Sequence, residues 1–229
     1  MNNNKYTPRD IAEQIISIPL YQRLFAWTPK EVSKLLSDLK EHFDSERFKK
    51  EQNAYYLGML TAIKRGEDYL DLIDGQQRFT VMILMAISFK HIPEWKSFLK
   101  NGKRLKLAAR SEDEKYIMNL TNEDNLCEYL KSGRSSYGYE NVFMKNALVC
   151  INDFVEKVFG DDKDARDEYA LNIYNHLTFF ISELPLHYLK EPTSLNKYFE
   201  VLNSTGRGLE QHEILKVNTR FLEILLSQK

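Results

Sequence analysis

The chain has 229 residues, 43% of them hydrophobic and 28% charged, which is enough to bury a substantial core and unlike a disordered or fibrous protein. Lys plus Arg number 32 and Asp plus Glu 33, so the net charge of −1 supplies no overall positive field for nucleic-acid phosphates. No run approaches the roughly 18 apolar residues of a membrane span, and the start MNNNKYTPRD lacks the apolar stretch of a secretory signal, so the expected setting is cytoplasmic with no membrane partner.

Along the chain, the first third alternates short elements: a helix over 7–16, an extended stretch over 17–20, and a helix over 29–43. Thr28 and Glu31 form a capping box around Pro29, which stands at the first helical position. Residues 55–63 and 69–73 are rich in aromatic and branched side chains and flank the turn-like Lys64-Arg65-Gly66-Glu67-Asp68, the pattern of a hairpin. Residues 76–89 are apolar on nearly every side, as in a helix buried against a sheet.

Beyond residue 112 the pattern is mostly helical, with apolar residues at three and four spacing over 112–120, 139–159 and 165–177. Residues 179–189, broken by Pro185, read as extended, and helices over 194–202 and 211–226 close the chain. Cys127 and Cys150 fall in helical segments with no second Cys or His at metal-ligand spacing, which reads as two buried reduced thiols and no metal site. With no repeat or linker, residues 1–229 read as one α+β domain, its small sheet in 1–110 and a larger helical part in 111–229.

Three clusters carry candidate chemistry. In Leu70-Asp71-Leu72-Ile73-Asp74-Gly75-Gln76-Gln77-Arg78 a strand runs into a helix. Asp74 is suited to cap that helix and Gln77 to bond back to the cap, a structural role worth about 1 kcal/mol. Capping does not account for Gly75, a poor helix former, or for Gln76 and Arg78. A glycine permits close approach to the backbone, free N–H groups at a helix start attract anions, and an arginine one turn in can fork onto phosphate. In Tyr21-Gln22-Arg23-Leu24-Phe25-Ala26-Trp27 the aromatics either plug the core or offer Tyr21 or Trp27 as a face for a base, with Gln22 and Arg23 as donors. In Phe199 to Leu209, Asn203 and Gly206 either close a helix or, with Arg207, contribute donors to a nucleotide. No Gly-Lys-Ser or Gly-Lys-Thr follows the glycines, so this is not a Walker loop.

Taken in order, Tyr21-Gln22-Arg23 with Trp27, then Asp74-Gly75-Gln76-Gln77-Arg78, then Phe199 with Asn203, Gly206, Leu209, Leu215 and Lys216, resemble the DGQQR-motif domain of GmrSD-type modification-dependent restriction enzymes, over residues 10–220. The resemblance implies a ParB/sulfiredoxin-like mixed sheet followed by a helical part. It also implies binding and hydrolysis of a nucleoside triphosphate, often GTP, with Mg2+, as a switch on DNA cleavage. It assigns catalysis to Asp74, Gln76, Gln77 and Arg78, and nucleotide binding to Tyr21, Gln22, Arg23, Trp27, Gly75, Arg78, Asn203, Gly206 and Arg207.

The five histidines (His42, His91, His176, His187, His212) form no His-Asn-His pattern, so DNA is expected to be reached through a partner or a nuclease domain outside this chain. One competing reading is a DNA-binding or protein-interaction adaptor without hydrolysis. Another is a nuclease holding a metal on Asp71, Asp74 and Glu200.

Overall fold

A computed structural model describes residues 5–20, 22–108, 110–132 and 138–186. It is an α+β fold built on six strands: β1 (Lys5–Tyr6), β2 (Ile15–Ile18), β3 (Tyr55–Lys64), β4 (Tyr69–Asp74), β5 (Leu105–Leu107) and β6 (Leu177–Glu183). The sheet order is β1-β6-β3-β4-β2-β5. β3 and β4 form the expected hairpin, while β2 runs parallel to both β4 and β5. β6 runs parallel to β3 and antiparallel to β1, so the sheet is not confined to the first 110 residues: a strand from the C-terminal half lies inside it.

Eight helices accompany the strands among the described residues: α1 (Pro29–Asp44), α2 (Glu46–Glu51), α3 (Gln76–Ser88), α4 (Pro93–Phe98), α5 (Ser111–Asn122), α6 (Leu126–Ser132), α7 (Val142–Phe159) and α8 (Lys163–His176). α1 begins as its sequence dictates. Thr28 accepts from the Lys30 amide, Glu31 bonds back to the cap, and Pro29 opens the first turn. Its stripe Val32, Leu35, Leu36, Leu39 and Phe43 is buried at helical spacing. α3 buries nearly its whole circumference, packing against α7 and against the sheet face that carries Ile16, Ile18, Leu60, Leu70 and Leu72.

The helix expected over 7–16 is not formed. Residues 8–13 make turns and the chain then enters β2. The reason is Arg104, 1% exposed, whose guanidinium lies over the Phe98 ring and donates to the carbonyls of Ala12 and Gln14. Those carbonyls are held by a side chain some ninety residues away, which no local periodicity reveals. Cys127 is exposed rather than buried, because α6 buries Leu126 and Tyr129 and leaves the position between them outside that stripe. Cys150 is half-buried, and both thiols are free. The helices expected over 194–202 and 211–226 lie outside the described residues.

Candidate functional site

β4 ends at Asp74, and the chain turns into α3 through Gly75, which adopts φ 89° as the N-cap residue. That conformation is cheap only for glycine. The capping expected of Asp74 and Gln77 does not occur: among the described residues no side chain caps α3, and its first-turn amides are open to another acceptor. Asp74 precedes the cap, half-exposed, with one carboxylate oxygen 3.9 Å from Arg78. A β-carbon at Gly75 would enter Leu60 Cδ2 and approach the Met59 carbonyl oxygen to 3.4 Å. Glycine at this point of the motif is therefore accounted for by the close packing of β3.

The two glutamines of the motif are both 6% exposed and face different ways. Gln77 clasps the segment 22–27: its Nε2 donates to the Leu24 carbonyl at 2.5 Å and its Oε1 accepts from the Ala26 amide at 2.8 Å. Gln22 returns the contact by donating to the Ile73 carbonyl at 2.6 Å. Phe25 is buried and Trp27 packs, partly buried, on the core, so these two aromatics act as the plug. The result is a loop fixed over the start of α3 with Arg23 exposed on it.

Gln76 lies in a cleft below that loop, lined also by Gln22, Arg23, Thr80, Arg110 and Asp113. Thr80 is four residues on from Gln76 and shares its helix face. Ile18 and Leu107, the last residues of β2 and β5, form part of the wall, so the cleft sits at the carboxyl ends of the parallel strands β2, β4 and β5. Ligands of open α/β sheets bind in that place. Its volume is about 20 Å³, room for about one water molecule. Arg110 and Asp113, at the start of α5, carry no signal in the sequence. Asp113, 2% exposed, accepts from Tyr139 at 2.7 Å and Asn141 at 2.9 Å. Burial, with Asp113 beside it, raises the Tyr139 hydroxyl above its ordinary pKa.

Arg78 is not among the residues lining this cleft. Two positions after Gln76, it projects about 200° around the helix. Its Nη1 donates to the Met59 carbonyl at 2.6 Å, over Gly58, where a β-carbon would come within 2.6 Å of the same nitrogen. The contact staples α3 to β3. Arg78→Ala is accordingly expected to cost about 1 to 2 kcal/mol, discounted for partial exposure, or roughly 2 to 8 °C of melting temperature. Any affinity for a ligand in the cleft should stay within about twofold. An unshifted melting curve with lost binding would instead return Arg78 to the ligand.

Tyr21, Asn203, Gly206 and Arg207 lie outside the described residues. So does Glu200 of the nuclease reading, whose other two carboxylates are separated by strand alternation. Asp71, 1% exposed, pairs with Arg65 on one face of β4, where burial raises its carboxyl despite that arginine, and Asp74 is on the other face. Among the described residues no three metal-ligating side chains gather, and no helix is long and apolar enough to cross a membrane.

No curated protein matches the chain. Residues 5–219 match the family described as the GmrSD restriction endonuclease, N-terminal domain. That span takes in the fixed loop, the strand-to-helix turn and the cleft beneath them, and the chain belongs to this family of restriction-system domains.

Proposed function

We propose that this restriction-system domain binds a nucleoside triphosphate in the cleft at the carboxyl ends of β2, β4 and β5, as the regulatory half of a DNA-cleaving assembly. The observation that carries the reading is the convergence, in one concave place, of Gln76 at a helix start with no side-chain cap among the described residues and the two exposed arginines Arg23 and Arg110. Uncapped amides and guanidinium groups are the usual holders of phosphate. Gln77 and Gln22 act as positioning residues, fixing the loop that presents Arg23.

The lining suits phosphate better than a protein-held cation. Hard cations need several oxygen ligands, and here one carboxylate, its Oδ1 taken by Tyr139 and Asn141, faces two guanidiniums. Mg2+ would travel with the phosphate oxygens and its own waters. With room for about one water, the cleft must widen between the loop and Arg110 to admit a ligand.

A ligand bound only by the folded chain adds RT ln(1 + [L]/Kd), roughly 2.7 kcal/mol at a hundredfold excess over Kd. For a chain of this size that is a rise of roughly 5 to 11 °C in melting temperature. We expect it with millimolar GTP and magnesium, and smaller rises with ATP, CTP or UTP. Four unchanged curves would remove the nucleotide reading in favour of a DNA-binding or protein-interaction adaptor.

A further inference from the structure

We infer that Arg110 and Arg23 form a two-arginine clamp on a single phosphate group, with Arg110 aimed by the Tyr139, Asp113 and Asn141 network behind it. The inference rests on the nucleotide reading and adds to it a residue that belongs to none of the sequence clusters.

Arg23 and Arg110 line the same small cleft from different elements, one on the loop held by Gln77, the other at the mouth of α5 just beyond β5. Among the described residues neither guanidinium lies within 4.0 Å of a carboxylate, in contrast to Arg47, Arg65 and Arg166. Two guanidiniums lining one small cleft repel. Such an arrangement is stable in a cleft when an anion sits between them. Asp113 offsets one charge and leaves an excess of one positive, the right sign for a phosphate group.

The backbone of Arg110 is fixed at both ends. Its amide donates to the Leu107 carbonyl at 3.0 Å and its carbonyl accepts from the Glu114 amide at 3.2 Å. Its guanidinium lies near the Tyr139 hydroxyl, which donates to the buried Asp113, itself held by Asn141. Tyr139 is therefore a positioning residue. It acts on the ligand only through Arg110.

Calorimetric titration of the full chain with two probes, magnesium GTP and inorganic tripolyphosphate, tests the clamp. Arg110→Ala should lose roughly ten- to hundredfold in affinity for both probes with an unshifted melting temperature, since its side chain is exposed, and Arg110→Lys should recover part of the loss. The losses from Arg23→Ala and Arg110→Ala should combine to less than their product, as for groups that hold one partner. Tyr139→Phe should weaken binding severalfold in the native chain and leave the affinity of Arg110→Ala unchanged.

Wild-type affinity in Arg110→Ala, or losses that multiply independently, overturns the clamp and leaves the nucleotide reading standing. If the unaltered chain holds tripolyphosphate but no nucleotide, and Arg110→Ala abolishes that, the clamp stands and the nucleotide reading falls. If it holds neither, both fall.

Discussion

Gly75→Val should destabilise the chain by about 2 to 6 kcal/mol and lower its melting temperature by roughly 4 to 24 °C. Two independent costs add at this residue. Holding a β-branched side chain at φ 89° costs about 1 to 3 kcal/mol, and driving it into a packed neighbour costs a similar amount. The neighbour is Leu60 on β3, behind which lie the Leu60 Cα and the Met59 carbonyl, each 3.4 Å from the new β-carbon, so the leucine has little room to withdraw. Two other glycines separate the terms. Gly160, at φ 52° with nothing within 4 Å of an added β-carbon, isolates the backbone cost, and Gly66, free of both constraints, should accept alanine within about 0.5 kcal/mol. If Gly75→Val melted no lower than Gly160→Val, packing against β3 would not be the reason for this glycine.

That origin differs from the one the sequence suggests. A glycine at a helix start beside arginines invites the thought of a ligand close to the backbone, and no local pattern reveals that β3 occupies the space. β3 lies against this turn because Thr61 pairs with Asp74 across the hairpin, with a register shift at Thr61 and Ala62. The hairpin itself is legible, since its strands are β-branched and aromatic around a short polar turn. The bulge, which decides what touches Gly75, is not.

The same division runs through the molecule. α1, α7 and α8 are legible because each carries apolar residues at helical spacing, α3 because it is apolar on nearly every side, and α1 also carries its capping box. β1 and β5, of two and three residues, take their identity from partners far along the chain, and so does the place of β6 between β1 and β3. In the site, the nearness of Gln22 to the DGQQR turn could be suspected from two donor-rich clusters. The divergence of Arg78 from Gln76 was available from helical periodicity alone, since residues two apart face different ways. Arg110 and Asp113 read as an ordinary polar approach to a helix with an acidic first turn. Only the parallel pairing of β2 with β5 brings them beside Arg23.

The fixed loop yields the second large effect. Gln77→Ala removes a donor to Leu24 and an acceptor for Ala26 in one step, and no other side chain in the described residues bonds either group. Each net hydrogen bond contributes about 1 kcal/mol, so a loss of roughly 2 kcal/mol, or 4 to 8 °C, is expected. The larger consequence falls on binding. Arg23 would then have to be ordered by the ligand itself, and ordering a loop and a long side chain on binding lowers affinity, here by an expected factor of about ten to a hundred. Gln77→Glu sharpens the test. It keeps an acceptor for the Ala26 amide but sets a carboxylate oxygen against the Leu24 carbonyl where a donor stood, so the loop should be loosened almost as much as by alanine. Tryptic cleavage after the exposed Arg23 reads the loop directly, and both variants should be cut faster there than the unaltered chain, with added nucleotide slowing the cut less. If Gln77 instead touched the ligand in a chemical step, its alanine variant would keep its melting temperature, its resistance to trypsin and its nucleotide affinity, and lose only turnover.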